Sequence, residues 1–381
     1  MNRRRGVIFI AALGVILVLT GLALVFAQSM RTEAMASANR RSQAQADSIE
    51  LGAEQWVLAQ VDAYQPDAMT IQQVPAEAIQ VGTGYFWIMQ FNPDNDSDEG
   101  RLYGITDESS KLNINSATSA QLQSLPGDLE QNVADAITDW HNATNKATSD
   151  GAETDYYQSL TEPYECKNAS FETVEEMLLV EGVTPAVLWG NGQNVVDMNR
   201  DGVLSAPERQ ASSFNSQFTG AQSGGIDGRG LYNYLTCYTT TPRAGRTAAT
   251  TGQVNINTAS DVVLVALGMS PSDAEEIVNE RVGNDYTNAS WASSVTGKYP
   301  ALRTLLTGQS SQYSADIVAV SGDGRAFKRV RIVVDGSSSP SKIVYRKDLT
   351  SFGWPLPDEI KQQLASGKPI QPGTSTNNAN P

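Results

Sequence analysis

An uncharged apolar run, VIFIAALGVILVLTGLALVFA from Val7 to Ala27, follows directly on MNRRRG and constrains the rest of the chain. A stretch of this length can satisfy its backbone polar groups in hydrocarbon only as a helix, and it is long enough to span a bilayer. Arg3, Arg4 and Arg5 hold its start in the cytoplasm, so the residues after Ala27 are expected outside the inner membrane. Three readings compete. A cleaved secretory signal could end at Val25-Phe26-Ala27, but its apolar region normally covers only about 7–15 residues. A plain signal anchor is the second reading. The third is a basic leader, residues 1–6, removed after Gly6 to leave Val7 first.

Between Val7 and Tyr64 there is no proline, and Pro66 follows. Ile49, Ala53, Trp56, Val57, Val61 and Tyr64 recur at helical spacing. The pattern predicts one helix of about 58 residues, roughly 87 Å long. Residues 7–27 would cross the membrane, and 28–65 would lay one face on a globular head.

The head is expected in two pieces, 66–111 and 309–357. Gly84 to Phe91 (GYFWIMQF) and Arg101 to Thr106 read as strands, as do Ala315 to Val320, Lys328 to Val334 and Lys342 to Arg346. Gly322-Asp323-Gly324 and Gly336-Ser337 supply turns between the last three. The middle, 112–308, carries few strand signals. The fold class expected is α+β: a small head on a long N-terminal helix, its sheet interrupted by a large, mostly helical insertion. Residues 358–381, ending PGTSTNNANP, read as a disordered tail.

Inside the insertion a repeat is visible. KLNINSA (Lys111 to Ala117) and QVNINTA (Gln253 to Ala259) each precede a Leu-rich helix and a Gly turn, and EEMLLVEGVTPAVL (Glu175 to Leu188) reads as a further hairpin. These resemble helix-hairpin-helix units, which elsewhere hold DNA phosphates at a helix N-terminus. Here the second helices, Asp128 to Trp140 and Pro271 to Val282, are acidic. The whole chain has 27 Lys plus Arg against 42 Asp plus Glu, a net charge of -15. Phosphate backbones would be repelled, which argues against nucleic acid and for protein–protein packing.

The sharpest chemical motif runs from Asp197 to Glu208, DMNRDGVLSAPE, and fits the D-x-N-x-D-G-x5-E calcium-loop rule. Asp197, Asn199 and Asp201 would give side-chain oxygens, Val203 its carbonyl, Ser205 a contact through water, and Glu208 a bidentate carboxylate. A structural Ca²⁺ is therefore expected; the plainer reading is an acidic turn. Cys166 and Cys237 are the only cysteines, and a distant pair in an exported chain suggests one disulfide. A single His and the lack of G-x-x-x-x-G-K-S/T, G-x-S-x-G and H-E-x-x-H motifs argue against an enzyme.

Several of these pieces together resemble one family. MNRRRG before a spanning helix is similar to the class III leader of type IV pilins and pseudopilins, with Ala11 where most pilins carry Glu. DESSKLNINSA (Asp107 to Ala117), the DW pair Asp139-Trp140, GAE-x-x-YY (Gly151 to Tyr157), PY and VEEMLLVEGVTP (within Pro163 to Pro185) and NINTA (Asn255 to Ala259) resemble the K-type minor pseudopilins of type II secretion, in order, from roughly Arg5 to Asp348. The resemblance implies cleavage between Gly6 and Val7 by prepilin peptidase with methylation of the new N-terminus. It also implies a single-pass inner-membrane anchor and a periplasmic head at the pseudopilus tip. Implied partners are the I- and J-type minor pseudopilins, the major pseudopilin and the inner-membrane secretion platform. Where the family tends to be Asp-rich, this chain reads His141-Asn142-Ala143-Thr144, which argues against a second metal site using Asp139, Glu153 and Asp155. The alternative is a type IV pilus or competence-type minor pilin with weak DNA binding.

Overall fold

The computed structural model describes residues 3–90, 102–126, 129–148, 150–189, 230–238, 252–281 and 287–370. Helix α1, Arg3–Tyr64, is the continuous rod that the missing prolines predict. Its stretch from Ala12 onward is apolar enough near the N-terminus to cross a membrane, with none of the most apolar window buried against protein. Burial begins at Ser42 and then follows the helical period through Ala46, Ile49, Ala53, Val57 and Val61, so one face of the second half packs.

That face lies on an antiparallel sheet. After α2, Ala68–Gln72, come β1, Ile79–Val81, β2, Gly84–Gln90, β3, Leu102–Tyr103, and β4, Thr106–Asp107. The sheet is completed far down the chain by β9, Gln312–Val320, β10, Phe327–Asp335, and β11, Lys342–Asp348, in the order β1-β2-β9-β10-β11 with β3 on β2 and β4 on β9. The run expected as one strand from Arg101 to Thr106 is thus two short strands on different partners. Strand periodicity sorts the side chains. Phe86, Ile88, Ala315, Ile317, Ala319, Val330, Ile332 and Val334 face α1 in one core. Tyr85, Trp87, Val318 and Val320 face the other way, onto Leu356, Ile360, Leu364 and Ile370.

The last four residues correct the expectation of a disordered tail from 358. Asp358–Ala365 is a helix, here α9, and Ile360 and Leu364 stand one turn apart on its buried side. Two apolar residues suffice because Trp87 and the aliphatic side of the sheet supply the rest of the core.

Between β4 and β9 the insertion forms its own core. Each repeat folds alike. In the first, β5, Leu112–Asn113, leads into helices α3, Ser119–Gln123, and α4, Gln131–His141. The stretch Thr154–Gln158 is α5. The hairpin expected at 175–188 is a 3-10 turn, Val174–Leu179, then α6, Pro185–Trp189, turning at Gly182, whose φ of 74° suits glycine. A short strand β6, Leu235–Thr236, pairs in parallel with β5. In the second repeat β7, Val254–Asn255, leads into α7, Asp261–Ala266, and α8, Pro271–Glu280, and β8, Leu306–Thr307, pairs in parallel with β7. Each repeat therefore places two helices after a short strand.

The strand ends show which way the head points. The β9–β10 turn sits beside the start of the packed face, where Ser42 Oγ donates to Asp323 at 2.7 Å and Gln45 accepts from Gly322 N at 3.2 Å. The β10–β11 turn sits beside the end of α1, where Asp62 accepts from Ser341 N at 3.0 Å and Oγ at 2.7 Å. Gln312, where β9 begins, pairs with Asp335 at that same far end. The insertion is consequently rooted where α1 finishes, away from its apolar half, and folds back over β10 and β11 on the face opposite α1.

Candidate functional site

The insertion joins the sheet through Asp107 and Glu108, and the local sequence explains why the joint is tight. Asp107 caps the 3-10 turn Glu108–Ser110 by accepting from Ser109 N at 2.8 Å. Its other oxygen accepts from Asn255 Nδ2 at 2.8 Å and Thr258 Oγ1 at 2.6 Å, both in the second repeat. Burial pushes this carboxyl above its ordinary range, and those donors offset the push.

Glu108 points the other way. It accepts from Lys111 Nζ at 2.7 Å, Thr236 Oγ1 at 2.6 Å and Ser314 Oγ at 2.5 Å. Burial works to raise this carboxyl, but Lys111 and Arg331 outweigh it and hold it below the usual range. Arg331 lies 4.8 Å from the centroid of the Tyr232 ring. Next to it Arg329 grips Asp316 with two bonds, at 2.9 and 2.6 Å. A cavity of about 20 Å³, lined by Glu108, Lys111, Tyr232, Tyr238, Arg331 and Tyr345 among others, is room for a single water. Lys347 Nζ reaches Glu175 at 2.7 Å and closes the same seam. Neighbouring side chains from β4, β6, β7, β9 and β10 thus converge on one buried polar joint, which can transmit force between insertion and sheet.

The NIN repeats form the other half of the joint. Asn113 and Asn255 each accept from the backbone N–H two residues on, at 2.9 and 3.1 Å. Asn115 Nδ2 donates to Phe171 O at 3.1 Å, and Asn257 Nδ2 to Gly308 O at 2.9 Å, so each repeat clamps a distant loop. The sequence announced the repeat but gave no role to Asp107, Glu108, Lys111 or Arg331. One signal was present: Arg329 and Arg331 alternate with Val330 and Ile332, which betrays a covered polar face.

On α1, Glu50 and Glu54 stand one turn apart and nearly buried, and both hold Arg346 of β11, at 2.8 and 2.7 Å. Burial, then the neighbouring Glu54, pushes the Glu50 carboxyl up to about 7 against the pull of Arg346.

The residues expected from sequence are distributed as follows. Gly6, Val7 and Ala11 lie within α1. Asp197, Asn199, Asp201, Val203, Ser205 and Glu208 lie outside the described residues. Cys166 and Cys237 are two buried free thiols, so the expected cross-link is not formed in this structure. Each has its own surroundings: Cys237 Sγ donates to Glu172 O at 3.0 Å, whereas Cys166 lies beside Glu153 and the Asn168 backbone. Burial pushes the thiols up to about 11 for Cys166 and about 12 for Cys237. Asp139 is fully buried and accepts from Thr148 N and Oγ1; Glu153 is buried, and Asp155 is exposed. No metal-type grouping of His, Cys, Asp and Glu occurs among the described residues.

Two family profiles, both described as Type II secretion system (T2SS), protein K, match the chain at residues 110–189 and 254–305. They cover the first and second repeats. Among solved structures, the chain is similar to one in the GspK-GspI-GspJ complex from the enterotoxigenic Escherichia coli Type 2 Secretion System. Identity is 13%, covering 84% of this chain and 98% of that one, with a TM-score of 0.49. No curated protein matches.

Proposed function

We propose that this chain is a minor pseudopilin of the type II secretion system protein K family, whose profiles match both repeats, and that it stands at the tip of its pseudopilus and nucleates or caps the assembly. The observation that carries this is the place of the insertion. It springs from Asp107 and Ser310 at the end of the sheet where α1 terminates, opposite the apolar half of the rod. A further subunit stacked beyond that end would meet the insertion before it met the sheet. Ala11 fits the same reading, because a subunit with nothing above it needs no buried carboxylate to receive the next N-terminus.

In this reading α1 anchors the chain in the inner membrane once the leader is cut after Gly6, and the head lies in the periplasm. I- and J-type pseudopilins are its lateral partners, and the loop Asp197 to Glu208 takes a structural Ca²⁺. Losing Arg3, Arg4 and Arg5 with the leader carries the formal charge from -15 to about -18 by subtraction. The polar joint suits the role, since a cap must pass load from insertion to rod without shearing.

The test is to express the chain with I- and J-type partners and the major pseudopilin, and to gold-label its head. Label at a single end of each pseudopilus supports the tip. Label along the shaft, or a pulldown that brings the major pseudopilin but neither minor partner, overturns it.

A further inference from the structure

One surface of the insertion exposes aromatic rings. Trp140 and Tyr157 are buried and meet edge to face, with ring centroids 5.2 Å apart. Tyr156 stands edge-on to Tyr157 at 5.2 Å, and Tyr164 lies against Tyr157 at 5.1 Å. These two outer rings remain 38% and 36% exposed. The Tyr164 hydroxyl donates to the Leu179 carbonyl at 2.7 Å, and Leu179 itself is 51% exposed. The result is an apolar face whose ring positions are fixed by the packing beneath.

Carboxylates flank the rings along the chain. Asp155 precedes Tyr156, Glu165 follows Tyr164, and both are exposed. Glu181 interacts with the Tyr156 hydroxyl. The nearest cation in sequence, Lys167, is held by Glu176 at 2.8 Å. Aromatic faces attract cations through their quadrupole, and the carboxylates add to that attraction. A tyrosine already immobilised gives up little freedom when it binds.

We propose that Tyr156, Tyr164 and Leu179, with the carboxylates of Asp155, Glu165 and Glu181, dock a lysine- or arginine-bearing segment of a protein partner. The proposal rests on this patch alone and holds wherever the subunit stands in the pseudopilus.

Fluorescence anisotropy on the full chain in nonionic detergent micelles tests it, with a labelled peptide of alternating arginine and proline and its glutamate counterpart as probes. The arginine peptide should bind and the glutamate peptide should not. Tyr156→Ala should weaken binding about tenfold and Glu181→Gln about threefold, whereas Leu51→Ala on α1 should change nothing. Glu181→Gln carries the test if Tyr156→Ala misfolds. No binding of the arginine peptide, equal binding of the glutamate peptide, or binding that neither substitution weakens would each overturn the docking site. The last outcome would mean only general attraction to an acidic chain.

Discussion

Asn255 Nδ2 donates to Asp107 Oδ2 at 2.8 Å, and neither residue is exposed to solvent. The bond ties the second repeat to the strand from which the whole insertion departs. Its counterpart in the first repeat, Asn113, donates instead to the Tyr238 carbonyl at 2.8 Å. The two copies share a layout but not a partner, because only the leading Asn of the second donates to a carboxylate.

Asn255→Ala should accordingly cost about 2–3 kcal/mol, since it leaves a buried carboxyl short of a donor, against about 1–2 kcal/mol for Asn113→Ala. Urea unfolding of the two variants measures the difference. Equal costs would show that Asp107 does not depend on the second repeat.

Glu50 gives the head a pH dependence. Its folded-state carboxyl sits at about 7 against an ordinary 4.5, so between those values the folded chain holds a proton that the unfolded chain has released. Its contribution is fully present below about 4.5 and is lost as pH rises towards 7, a loss of about 1–3 kcal/mol. Glu50→Gln should flatten that part of the stability profile. Arg346→Met should steepen it, because two nearly buried carboxylates would then share no cation. A profile identical in all three proteins would contradict the account.

Helix α9 should contribute to the head despite its polar sequence. Leu364→Ala opens a cavity beside Trp87 and Val320 and should cost about 2–4 kcal/mol. Truncation before Asp358 should cost more and expose Trp87 to solvent. Its fluorescence would shift to the red; unchanged emission and stability would refute the packing.

The leader is checked by N-terminal sequencing of the membrane-inserted protein. A start at Val7 is expected, and Gly6→Leu should leave the uncut chain. A start at Gln28 would instead point to signal peptidase.

Calcium should bind to the folded chain through Asp197, Asn199, Asp201 and Glu208 and raise stability by about 2.7 kcal/mol at a hundredfold excess over Kd. Glu208→Gln should weaken binding most and Asp201→Ala nearly as much. Calorimetric titration after chelation decides: no heat at millimolar Ca²⁺, with a Tm indifferent to chelator, would leave only a polar turn.

What the sequence disclosed follows from how local each signal is. The rod was legible because an apolar run, a missing proline and a repeating face are all short-range facts. The last three strands were legible from alternation, and the two repeats from NIN. The joint was not, because Asp107, Asn255, Ser314 and Arg331 become neighbours only once β9 has returned to the sheet. The thiols show the same limit: their spacing suggested a pair, but spacing says nothing of what each sulfur touches. Helix α9 was missed because it brings only two apolar side chains to a core built mostly by others.

Residues that pair at the centre of the sheet are synthesised far apart in time. Tyr85 of β2 lies opposite Val320 of β9, with the whole insertion between them. The central strand pairing therefore cannot form until nearly the entire chain has been synthesised. Such non-local pairing is slow to form, and until it forms β2 presents Phe86, Trp87 and Ile88 along an open edge. The insertion carries a core of its own and can condense first. Closing the sheet then follows the insertion, so a chain truncated anywhere before β9 would be left as an aggregation seed with a folded insertion and an unfinished head.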